Sequence, residues 1–76
     1  MCGIIGYVGP RKVVPVIMEG LRKLEYRGYD SAGMAILEKG ELVVVKRKGK
    51  LKALEEAVAG TDYEATTGIG HTRWAT

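Results

Sequence analysis

Lys39-Gly40 separates two runs of strand-forming residues, and a break that short turns the chain straight back on itself. Before it, a strand is expected from about Met34 to Leu37. After it, Leu42 to Arg47 carries three consecutive valines, a composition that favours extended backbone. The two strands must therefore lie side by side and antiparallel. That weighs against a doubly wound nucleotide-binding fold, which needs crossovers between successive parallel strands. Gly3, Gly6 and Gly9 do not restore it, because their spacing by three misses the pattern G-x-G-x-x-G.

The rest of the chain supplies partners for this hairpin. Cys2 to Val8 reads as a short, mostly buried strand, with Gly3 and Gly6 placed for close approach by a neighbouring backbone or a ligand. Gly9 and Pro10 end it. Val13, Val14, Ile17, Leu21 and Leu24 then recur near a period of 3.6, so a helix with one apolar face follows, with Pro15 in its first turn. Gly20 weakens that helix unless something packs closely against it. Tyr26 to Gly33 has no helical or alternating pattern and is expected to be a shaped loop. Past the hairpin, Gly49 closes the ladder. Leu51, Leu54 and Val58 mark a shorter helix with Gly60 just beyond its end. Thr66, Thr67, Ile69 and Thr72 give the span Ala65 to Thr76 the look of a last strand leading into a functional loop. The order is strand, helix, strand, strand, helix, strand: an α+β fold with at least one antiparallel pair.

Composition narrows the function classes. At 76 residues, 46% hydrophobic and 28% charged, the chain is at most one globular domain, and marginal if it must fold alone. One cysteine and one histidine exclude an intrachain disulfide and a Cys/His metal cluster, so neither metal nor cofactor is expected. The net charge of +3 owes much to Lys46, Arg47, Lys48, Lys50 and Lys52, read as a solvated strand end and turn. No aromatic residue interleaves that run, so nucleic acid is not an expected partner. Nothing resembles a signal peptide or a membrane span, and with the free cysteine this favours the cytoplasm.

Few residues could carry chemistry. Cys2 becomes the amino terminus once Met1 is removed. Its α-amine then lies within reach of its own thiol, and both groups exchange protons near neutral pH. One residue can thus supply nucleophile and base, as amino-terminal threonine enzymes do. The plain alternative is a small core residue opening a strand. Arg73, in His71-Thr72-Arg73-Trp74, offers a fork that matches a carboxylate, with an indole to wall it from water, or else a surface arginine beside a core tryptophan. His71 has no visible partner for base or ligand work and reads as a strand-borne histidine. Asp30 and Ser31 read as turn-forming and loop-bracing residues.

Three stretches, CGIIGYVG, LRKLEYRGYDSAG and TGIGHTRWAT, closely resemble the amino-terminal glutaminase domain of the fructose-6-phosphate aminotransferase (glucosamine-6-phosphate synthase) branch of the class II amidotransferases. They run through essentially the whole chain in the family's order. The resemblance implies the leading part of a four-layer αββα N-terminal nucleophile hydrolase sandwich, in which the nucleophile opens a central strand. It implies that Cys2 attacks the side-chain amide of glutamine to give a glutamyl thioester and ammonia, which passes to fructose 6-phosphate. Arg73 and Thr76 would bind glutamine, Trp74 would help control closure and the ammonia route, and Arg27 would support the nucleophile.

Length qualifies these expectations. The family's oxyanion-hole asparagine and glycine, and the aspartate that grips the substrate amine, fall beyond position 76, and this sequence has no asparagine. Residues 1–76 are therefore expected to be a truncated amino-terminal portion of the glutaminase domain, inactive and poorly folded in isolation, from a full-length protein that is a homodimer. Two other readings stay open: a class II glutaminase serving a different ammonia acceptor, and a small noncatalytic α+β interaction module.

Overall fold

A computed structural model describes residues 3–24 and 30–73 of the chain. It forms β1 (Gly3–Val8), α1 (Val13–Leu24), β2 (Ser31–Glu38), β3 (Glu41–Lys48), α2 (Leu51–Ala59) and β4 (Thr67–Arg73). The four strands make one antiparallel sheet in the order β1-β4-β2-β3. The last strand in sequence is thus an inner strand, holding β1 and β2 apart. Both edges of it are in register: Thr72 lies opposite Gly3 on one side and Ala32 on the other.

The hairpin forms where expected. Glu38 pairs with Glu41 across the two-residue turn, and both turn residues have positive φ, 51° at Lys39 and 82° at Gly40. That backbone matches the right-handed twist of the strands it joins, at some steric cost to the lysine. Gly49, with φ of 93°, turns the chain out of β3 towards α2.

Both helices lie on one face of the sheet. Val13, Ile17, Met18 and Leu21 of α1 and Leu51, Leu54 and Val58 of α2 are buried there against Ala32, Met34 and Ile36 of β2. Two glycines let α1 sit close. A Cβ on Gly20 would overlap Ile5 Cδ1, and one on Gly70 would overlap Ile17 Cγ2. A strand isoleucine thus fills the gap in the helix, and a helix isoleucine fills the gap in the strand. The glycine that weakens the helix has the close partner its position called for.

The segment between α2 and β4 is tied down by Glu38, whose two carboxylate oxygens accept the backbone N–H groups of Glu64, at 3.1 Å, and Ala65, at 2.7 Å. Ala65 in turn accepts from the first N–H of α1, that of Val13, at 2.7 Å. Lys12 bonds Asp62 at 2.9 Å with Glu64 nearby, which raises the lysine pKa above its ordinary value, chiefly through the hydrogen bond to Asp62. Arg22 and Glu55 join α1 to α2.

Two expectations need correction. The first strand is not mostly buried: its residues alternate between half-buried and exposed, with Ile4 78% and Val8 81% accessible. Only one of its faces meets the helices. The second strand begins at Ser31 rather than Met34, so Ser31 to Gly33 belong to the sheet and not to a loop. Local pattern missed this because their extended form is imposed by partners on both sides, Lys48 to Lys46 of β3 and Arg73 to His71 of β4. Of the expected loop, residues 26–29 lie outside the described residues.

Candidate active site

Strand alternation sorts the chemistry onto the face opposite the helices. Cross-strand rows make that face easy to read. Nearest the start of β1 and β2 comes Arg73, Ser31 and Lys48, and next to it Ile4, His71, Gly33 and Lys46. Beyond them the face turns apolar: Gly6, Ile69, Ala35 and Val44, then Leu37 beside Leu42.

The polar end holds a recess of about 340 Å³ bordered by Asp30, Ser31, Lys46, Lys48, His71 and Arg73. Gly33 gives it room. A Cβ there would come within 2.9 Å of His71 Nε2 and 3.0 Å of Lys46 Cγ, so both side chains lean over a residue that has none. Arg73 is exposed at the last position of β4, with its backbone fixed by two strands, and its carbonyl accepts the Asp30 N–H at 2.8 Å. The Asp30 carbonyl accepts from Gly49 N–H at 2.7 Å. Asp30 thus braces the junction of β2, β3 and β4 through its backbone, in keeping with its expected role. Thr72 between these residues faces the helices and is buried.

This arrangement suits an anion. Four basic side chains, Lys46, Lys48, His71 and Arg73, border the recess on the sheet face, and a guanidinium at a fixed strand end presents the geometry a carboxylate matches. No group of three or more His, Cys, Asp or Glu that could hold a metal ion occurs among the described residues. No helix among them is long and apolar enough to cross a membrane.

Of the residues singled out from sequence, the structure describes Arg73 only; Cys2, Arg27, Trp74 and Thr76 lie outside the described residues. Their described neighbours do come together. Gly3, which follows Cys2 in the chain, pairs with Thr72, which precedes Arg73. Sequence reasoning missed Lys46 and Lys48 as companions of Arg73, having treated the basic run as a solvated turn. The alternation of β3 separates these two from Arg47, which shares the helix-side parity of Val43 and Val45, but the strand order that brings β3 near β4 has no local signal.

No family model matches the chain. Individual relatives do. The chain is 59% identical over 76 residues to the glutamine--fructose-6-phosphate aminotransferase (isomerizing) of Aquifex aeolicus, a match covering all of this chain and 13% of that protein. It is 62% identical to a protein of that name from Thermus thermophilus, again over all of this chain and 13% of the relative. For the Thermosynechococcus vestitus protein the figures are 59% identity and 12% of the relative's length. The chain spans about an eighth of the length of the curated relatives it matches. Matched along all 76 residues at that identity, the chain belongs to the family of the glutamine--fructose-6-phosphate aminotransferases (isomerizing).

Proposed function

We propose that residues 1–76 are the leading part of a glutaminase domain, in a longer protein that moves the amide nitrogen of glutamine to fructose 6-phosphate. With Met1 removed, the Cys2 α-amine takes the thiol proton as sulfur attacks the side-chain carbonyl carbon of glutamine. The tetrahedral intermediate collapses, the amine returns the proton to nitrogen, and ammonia leaves a glutamyl thioester that water cleaves to glutamate. Arg73 and Thr76 bind glutamine. The Arg73 fork accepts its α-carboxylate, and Trp74 and Arg27 support closure and the nucleophile.

The observation that carries this reading is the pairing of Gly3 with Thr72, which sets the residue after the proposed nucleophile beside the residue before the proposed carboxylate-binding arginine. The relatives' shared name supports fructose 6-phosphate as the acceptor over another ammonia acceptor. The uncovered face of the sheet supports the four-layer sandwich. Its apolar groove, of about 570 Å³, is what a second sheet would cover, and the remaining length of a relative-sized chain is ample to supply one. The full-length protein works as a homodimer.

Intact mass of a polypeptide of the relatives' length carrying this sequence should show loss of Met1. A glutamine analogue with an electrophilic side-chain carbonyl should add once, at Cys2, and Cys2→Ser should abolish both adduct and glutamine hydrolysis. Retained Met1, or an adduct that survives Cys2→Ser, would defeat the proposal and favour a noncatalytic module.

A further inference from the structure

Among the described residues, one buried side-chain oxygen has no hydrogen-bonding partner: Asp30 Oδ1. A carboxylate oxygen withdrawn from water without a donor is strongly unfavourable, and native structures keep such groups where something else completes them. Cations are not scarce nearby. Lys46, Arg47 and Lys48 of β3 and His71 and Arg73 of β4 border the same recess, yet none of them bonds this oxygen. Nor is Asp30 free to swing away, because its N–H is held by Arg73 and its carbonyl by Gly49. The oxygen is fixed in place and lacks a donor.

The sheet indicates where that donor comes from. β1 and β2 flank β4 and run in the same direction, with Gly3 and Ala32 both opposite Thr72. The residues just before Gly3 and just before Ser31 therefore enter the sheet at one end, two strand spacings or about 10 Å apart. A residue of chain on one side and an aspartate side chain on the other can bridge that gap together. We propose that Asp30 is a positioning residue for the nucleophile: its buried Oδ1 accepts a hydrogen bond from the α-amino group that removal of Met1 creates on Cys2. This rests on Cys2 being the amino-terminal nucleophile. With Met1 in place, Cys2 has only a neutral amide N–H; removal of Met1 gives it a basic amine. One N–H of that amine held by Asp30 fixes its orientation toward the thiol. The carboxylate also favours the protonated amine, and so sets the pH below which the amine stops acting as a base.

The test uses the full-length polypeptide carrying this segment, with Met1 removal confirmed by mass, and compares glutamine hydrolysis against pH in the unchanged protein, Asp30→Asn and Asp30→Glu. Asp30→Asn keeps the shape and removes the charge. The amine's pKa then falls, so the acid limb of the profile moves to lower pH by about one unit, as expected for loss of a neighbouring opposite charge. The plateau kcat falls by about tenfold through lost orientation, while KM stays within about twofold. The five basic groups of the recess are common to all three proteins, so the difference isolates Asp30. Asp30→Glu retains the charge and keeps the limb within about half a unit of its original pH, which gives a readout even if Asp30→Asn folds poorly. A limb unmoved in Asp30→Asn, or displaced by a full unit in Asp30→Glu, overturns the assignment while leaving Cys2-dependent hydrolysis standing. Hydrolysis that survives Cys2→Ser overturns both.

Discussion

The two faces of the sheet follow different rules. On the helix side every large apolar side chain has a partner, down to the exchange of Ile5 with Gly20 and Ile17 with Gly70. On the other side, Ile4, Val8, Leu42, Val44 and Ile69 stand more than half exposed around the groove and the basic recess. A solvated sheet face ordinarily alternates to polar residues. Here β1 and β3 place apolar residues on both faces, so the uncovered side has the composition of an interior. What differs between the faces is the amount of chain available to cover them.

The largest effect should come from the finished face. Ile17→Ala in a polypeptide of the relatives' length removes a fully buried side chain from over Gly70, and should cost about 2–5 kcal/mol in urea unfolding. A loss below about 1 kcal/mol would mean that α1 can collapse onto β4, and that the fit is looser than described. Next comes the open face. Ile69→Thr should cost about 1–3 kcal/mol in that longer polypeptide if a second layer covers it, and under about 0.5 kcal/mol if it stays wet. This is the sharpest test of the four-layer reading. Smallest of all is Lys12→Met, at a wholly exposed ion pair. A pKa raised by Asp62 and Glu64 means that the lysine contributes stability fully below its ordinary pKa, and loses it as pH climbs through the raised value. The variant should therefore melt slightly below its parent at neutral pH and converge with it in strong alkali; a gap that widens there would reverse the assignment.

How much could be read from the chain beforehand follows the same division. The hairpin at Lys39-Gly40, both helices and the demand of Gly20 for a neighbour were legible because each depends on residues close in sequence. Strand order was not. Nothing in Thr67 to Arg73 says that this segment belongs between β1 and β2, and that insertion turned Ser31 to Gly33 into strand and left one face of β1 open. The site was legible mainly through resemblance. Arg73 stands at a strand end in the basic recess, consistent with the anion-binding role expected of it, while Cys2, Arg27, Trp74 and Thr76 lie outside the described residues. Lys46, Lys48 and the buried oxygen of Asp30 emerge only when three strands are in register.

The central position of β4 also bears on how the molecule is made. A ribosome delivers β1 first, but β1 has no neighbour in the sheet until residues 67–73 have left the exit tunnel. Local hairpin and helix formation can proceed meanwhile, since closing short loops is fast and distant pairing is slow. The leading end of the nascent chain is consequently left without its partner strand through most of the synthesis of this segment. That interval is when an aminopeptidase working at the ribosome can still trim Met1, before Gly3 is locked opposite Thr72.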